Sequence, residues 1–185
     1  MKKSYDYFKT LKILSESVSV IFEKTLLKQD FSSKRIRFFA EKSELINNLQ
    51  NEFITPLERG DIFLLEESLT EELNSIFTFQ EYLYLINSKD FVGFKNMNIA
   101  LKTQNLIFSQ LGNFKSNLKL FEQCSEEIKR LNIEKNNIEK SIIDALKCKT
   151  EQPLVKYVTY SAFLDLNRKI YKTIIEIERI LINNS

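Results

Sequence analysis

The sequence predicts an all-α protein of six long helices, set out as two consecutive antiparallel three-helix bundles. Apolar residues recur at three- and four-residue steps in nearly every window, the pattern of helices with one buried stripe. Only three Gly and two Pro occur in 185 residues, too little turn chemistry for an all-β chain with its many short connections. With 43% apolar residues and fifteen Phe, the chain has enough apolar surface to build a core, and wholesale disorder is not expected.

The first helix is expected over about residues 3–28, with Tyr5, Phe8, Leu11, Val18 and Phe22 on one side. Asp30 to Ser33 forms the joint that follows and offers Asp and Ser as caps. The second helix, about 34–52, carries Ile36, Phe39, Ile46 and Leu49 as its stripe. It ends before Pro56, because the residue preceding a proline is pushed out of helical geometry. There the third helix begins: Thr55 can accept from the first free backbone N–H groups, Pro56 suits the opening position, and Glu58 completes a capping box. From Pro56 to about Asn87, Ile62, Leu65, Leu69, Leu73, Ile76, Leu83 and Ile86 form a nearly continuous seam.

Asn87-Ser88-Lys89-Asp90 is a polar joint near the midpoint, so the boundary falls between residues 1–88 and 89–185. The second half repeats the scheme, with a fourth helix at about 91–112, a break at Gly112-Asn113 and a fifth helix at about 117–147. In the fifth, Phe121, Cys124, Ile128, Leu131, Ile138, Ile142 and Ala145 follow heptad-like steps. Pro153 opens the sixth, about 153–182, where Phe163, Leu166, Ile170, Ile174, Ile177 and Leu181 share a face. Short joints between long helices favour antiparallel neighbours.

Charge is abundant but balanced, 27 basic against 25 acidic side chains. No field of one sign is available to attract a polyanion, so nucleic acid is not an expected partner. The basic run Lys34-Arg35-Ile36-Arg37 points in several directions on a helix and reads as a solvated face. The chain has no histidine, which removes the commonest general base and neutral metal ligand and every Ser-His, Cys-His or zincin arrangement. Cys124 and Cys148 are too far apart for a Cys-x-x-Cys motif and read as buried, inert thiols of a reducing compartment. After Met1-Lys2-Lys3 the apolar stretch is interrupted by Lys12 and Glu16, unlike an export signal. No apolar run approaches the roughly 20 residues needed to cross a bilayer, so the chain is not expected to span a membrane.

Adjacent acids Glu66-Glu67, Glu71-Glu72 and Glu126-Glu127 suggest acid–base chemistry at first sight. Helical neighbours diverge by about 100°, and solvated surface is the simpler reading. Phe77, Phe79, Tyr82 and Tyr84 spread over more than one face of the third helix, which reads as an exposed contact patch in part.

The segment Phe53-Ile54-Thr55-Pro56-Leu57-Glu58-Arg59-Gly60-Asp61-Ile62 resembles the signature of the PhoU-like family, in its branch of Pit accessory proteins. That branch reads Phe-Ile-Thr-Pro-Ile-Asp-Arg-Glu-Asp-Ile at the start of its third helix; Leu57 and Glu58 are conservative replacements here, and Gly60 departs. Six helices in two groups of three match the PhoU-like fold across the whole chain. The resemblance implies a non-enzymatic, cytoplasmic accessory or regulatory protein of inorganic phosphate transport. It would bind a membrane phosphate transporter peripherally at the inner membrane face, with Thr55, Pro56, Arg59 and Asp61 as the signature residues. An exposed ion pair is worth only about 0–1 kcal/mol, so stability alone gives little reason for Arg59 and Asp61.

The family commonly binds iron or other hard cations through acidic pairs four residues apart. The corresponding positions here are Arg35 and Phe39, Thr70 and Asn74, and Asn132 and Asn136, none of them a carboxylate, so no metal or other cofactor is expected. Two other classes stay open: a metal-carrying helical bundle that stores or senses cations, and a helical scaffold that self-associates as a homo-oligomer.

Overall fold

In the computed structural model of the chain, the described residues are 5–52, 55–85, 94–117, 119–127, 130, 133, 140, 143 and 153–183. Helix α1, Tyr7–Leu26, starts where the Asp6 carboxylate accepts a hydrogen bond from the Lys9 backbone N–H at 3.0 Å. It stops because Lys28 turns left-handed, at φ 54°. The N–H groups of Lys28 and Gln29 then donate back to the carbonyls of Thr25 and Lys24, satisfying the last turn in a way glycine usually does.

Helix α2, Ser32–Asn51, follows a turn in which Asp30 accepts from both the backbone N–H and the hydroxyl of Ser32. Helix α3 spans Arg59–Leu83 and α4 spans Phe94–Gln110, followed by 3-10 turns within Leu111–Ser116 that are broken at Asn113 (φ −126°, ψ 25°), at the break expected there. Gly112 leaves room there for Phe8: a side chain at this position would stand 3.3 Å from the ring. Helix α5 is described over 119–127, with helical positions at Arg130, Ile133, Lys140 and Ile143. Helix α6 spans Pro153–Asn183. The fold is all-helical, with no strand among the described residues.

Side-chain contacts give the helix directions. Along α3 and α6, Tyr82 meets Thr159, Ser75 meets Asp165 and Glu72 meets Thr173, so the two run antiparallel. Phe79–Phe94 and Glu72–Gln104 set α4 antiparallel to α3, and Phe8–Gly112 with Ser15–Asn105 set it antiparallel to α1. Phe31–Phe77 and Lys42–Glu66 do the same for α2 and α3. The most extensive packing is α3 along α6, and α1 touches α2, α3 and α4. Buried residues of both halves therefore form one continuous core. The boundary expected at 88/89 lies outside the described residues.

The expected seams of α3 and α6 are buried as read: Ile62, Leu65, Leu69, Leu73, Ile76 and Leu83 on one, and Phe163, Leu166, Ile170, Ile174, Ile177 and Leu181 on the other. Of the fifth-helix seam, Cys124 is buried and Phe121 packs partly against the core; Ile128, Leu131, Ile138, Ile142 and Ala145, like Ile86, lie outside the described residues. The stripe of α2 differs. Phe38, Leu45 and Leu49 are buried, Phe39 and Ile46 only partly, and Ile36 is 70% exposed. Phe38 and Phe39 are adjacent, and the burial of Phe38 sets the phase.

The aromatic patch expected on α3 is mostly absorbed by the core. Phe79 sits among Phe22, Phe94 and Phe163 with ring centroids 5.6–6.4 Å away. Phe77 stacks on Phe31 with Arg35 over its ring, and only Tyr84, half exposed beneath Lys28, faces outward.

Candidate functional site

The start of α3 is built differently from the expected capping box. The Thr55 hydroxyl donates to the Leu57 carbonyl at 2.6 Å and caps nothing, and Glu58 bounds the helix without a side-chain cap. Leu57, 5% exposed, is drawn into the core; Glu58 then takes an extended ψ of 139°, so the helix begins at Arg59 and not at Pro56. The first helical bonds run from the Asp61 and Ile62 N–H groups to the Glu58 carbonyl. Asp61, partly buried in the first turn, places a negative charge where the helix dipole favours one.

Arg59 reaches back from that turn and donates from Nη2 to the Glu52 carbonyl. The Glu52 carboxylate accepts the Tyr5 backbone N–H at 3.1 Å. Burial, with the Glu52 carboxylate beside it, pushes the Tyr7 phenol up to about 12. Arg59 and Glu52 thus tie the start of α3 to the start of α1. Thr55 is half-buried, while Pro56, Glu58, Arg59 and Gly60 are exposed and form the open side of this turn. Of the four signature positions, Thr55 and Arg59 make hydrogen bonds that hold the turn. Phe53 and Ile54 lie outside the described residues.

The positions at which the resemblance would put acidic pairs are occupied by other work. The Arg35 guanidinium lies 4.7 Å from the Phe77 ring centroid and Phe39 packs edge-on against Phe38. Thr70 serves Glu66, and Asn74 is exposed. Asn132 and Asn136 lie outside the described residues. No group of three or more His, Cys, Asp or Glu side chains converges among the described residues.

The adjacent acids of α3 are not all on the surface. One of each pair points inward: Glu66 is 1% and Glu72 0% exposed, while Glu67 faces solvent and Glu71 is about a third exposed. Glu66 is neutralised, because Lys42 of α2 lies 2.7 Å from its Oε1 and the Thr70 hydroxyl donates to the same oxygen at 2.7 Å.

Glu72 has no such cation. Gln104 Nε2 of α4 donates to its Oε2 at 2.8 Å, and the Thr173 hydroxyl of α6 donates to its Oε1. Burial pushes its carboxyl up to about 7; the two hydrogen bonds pull it down, and the neighbouring Glu71 charge adds to the rise. Three helices thus converge on one carboxyl group. Beside it, Ser15 of α1 donates to Asn105 Oδ1, and Asn105 Nδ2 donates to Ser19 of α1.

Cys124 is a buried free thiol whose pKa is raised by burial, the state of an inert cysteine; Cys148 lies outside the described residues. Compared with known proteins, the chain matches no protein-family model, and no curated protein sequence matches it at a significant level.

Proposed function

We propose that this protein is a non-enzymatic accessory or regulatory protein of inorganic phosphate transport, acting by binding a membrane phosphate permease from the cytoplasmic side. The observation that carries the reading is the segment Phe53 to Ile62, which agrees with the Pit accessory signature in residue type and in position, at the joint before the third helix. The described part of that segment suits a contact surface. Pro56, Glu58, Arg59 and Gly60 are exposed on a turn whose shape is held by Thr55, Arg59 and the buried Leu57. A prearranged turn loses little conformational freedom when a partner covers it, so its contacts convert more fully into affinity. No described helix is long and apolar enough to cross a membrane, so the contact would be peripheral.

The test is capture from native membranes. Tagged protein is expected to recover a phosphate permease, Arg59→Glu is expected to weaken that recovery, and deletion of the gene is expected to change phosphate uptake. Failure to recover a permease, together with unchanged uptake, overturns the proposal. Elemental analysis of protein purified without chelators separates it from a cation-storing bundle, which requires stoichiometric metal.

A further inference from the structure

We propose that Glu72, Gln104 and Thr173 form an internal proton-binding site at the junction of α3, α4 and α6, with the Thr173 hydroxyl rotating between two acceptors as the carboxyl loses and gains its proton. This goes beyond the transport reading and does not depend on it.

The geometry accommodates both states without displacing a heavy atom. In the ionised state, Thr173 Oγ1–H and Gln104 Nε2–H donate to the two carboxylate oxygens. When Glu72 is protonated at Oε1, that O–H donates to Thr173 Oγ1. The hydroxyl turns its own hydrogen to the Lys169 carbonyl, 3.1 Å away, and Gln104 keeps its bond. The carboxyl oxygens and the Thr173 hydroxyl keep a partner in either state. The two donors favour the carboxylate and burial opposes them: a carboxylate that is 0% exposed and held only by neutral donors bears a large desolvation penalty.

The two buried glutamates of α3 make the contrast. Glu66 has Lys42 at 2.7 Å as a cationic partner; Glu72 has only the neutral donors Gln104 and Thr173. The charges around Glu72 leave it uncompensated. On α3, Glu71 is like-charged and itself holds Lys169 and Lys172 of α6 at 3.4 and 3.7 Å. Asp165 of α6 is bonded to Ser75, Lys102 of α4 is exposed, and Lys42 of α2 is committed to Glu66. Lys12 and Glu16 of α1 pair with each other on its open side.

Gln104 Oε1, buried with no hydrogen-bond donor among the described residues, makes the site poorer still in positive partners. Losing the proton therefore places an unbalanced charge where α3 meets α4 and α6, and the packing of the three helices is loosest in that state.

The sign follows from linkage. A carboxyl whose folded-state pKa lies above its unfolded value favours folding fully below the unfolded value, and that contribution is lost as pH rises through the folded one. The absence of histidine removes the side chain that ordinarily titrates in this window.

Carboxyl-carbon NMR of the full chain, with Glu72→Gln used for assignment, is expected to show one glutamate titrating near neutrality. The folding equilibrium constant of the native chain is expected to fall on the order of a hundredfold between about pH 5 and pH 8. Glu72→Gln is expected to be flat over that range, and Thr173→Val to move the midpoint upward by removing a donor to the carboxylate. If no glutamate of the native chain titrates near neutrality, the proposal is overturned without any variant having to fold. An unchanged pH slope in Glu72→Gln overturns it as well.

Discussion

Removing the Lys42 ammonium takes away the cation paired with Glu66, together with its hydrogen bond to the Thr70 hydroxyl at 3.0 Å. Lys42 is only 24% exposed and Glu66 1%, so deleting the cation leaves a carboxylate with nowhere to turn but the Thr70 hydroxyl. At 2.7 Å and an effective dielectric near 20, the gross attraction is about 6 kcal/mol, most of it offset by the desolvation of both ions. Breaking a fully buried pair costs about 3–5 kcal/mol. Because Lys42 reaches the surface, water can partly replace it, and about 2–3 kcal/mol is expected for Lys42→Ala. The exposed pair Lys12–Glu16, at 3.7 Å and about half exposed on both sides, is the internal control, where Lys12→Ala should cost under about 0.5 kcal/mol. Urea unfolding at neutral pH, with unchanged m-values for both variants, measures the difference. A double variant, Lys42→Met with Glu66→Met, should recover most of the loss, because the unpaired charge is gone. Equal costs for Lys42→Ala and Lys12→Ala, or no recovery in the double variant, would refute the reasoning.

Phe79→Ala empties the centre of the aromatic cluster with Phe22, Phe94 and Phe163 and should cost about 3–5 kcal/mol, read as a fall in Tm of about 10 °C for a chain of this size. Tyr7, raised to about 12, should give a phenolate absorbance step above the ordinary phenol range. Its contribution to stability is complete below about pH 10 and is lost as pH rises toward 12, and Tyr7→Phe should flatten that alkaline decline. Lys28→Gly should stabilise by about 0.5 kcal/mol in thermal unfolding: relief of a left-handed residue is worth about 1 kcal/mol, less about 0.5 kcal/mol for the lost contact with the Tyr84 ring.

The fold class was legible because the seams of α3 and α6 repeat without interruption, so any register error would have left several Leu and Ile exposed at once. In α2 the apolar residues are few, and the adjacent Phe38 and Phe39 allow two phases; burial of Phe38 in the tertiary core chooses between them, and nothing local does. The helix start at Thr55-Pro56 was misplaced for a related reason. The capping box is a local motif, but burial of Leu57 is a long-range demand that stretches the chain and moves the start to Arg59.

Glu66 and Glu72 were read as surface because acids in adjacent pairs usually are. The signal was their phase: Glu66 lies three residues before Leu69 and seven before Leu73, and Glu72 seven after Leu65 and four before Ile76, all on the buried side. What no spacing could give is the partners, since Gln104 and Thr173 stand 32 and 101 positions from Glu72.

The packing of α3 along α6 has a consequence during synthesis. The ribosome finishes α3 at Leu83 and α6 at Asn183, 183 − 83 = 100 residues later, which at about 5–20 residues per second is a wait on the order of 5–20 s. Throughout that interval the part of α3 that packs along α6 lacks its permanent cover and Glu72 lacks its Thr173 donor, so the emerging polypeptide is a natural client for a holdase chaperone, and a product truncated before α6 should precipitate where the whole chain stays dispersed.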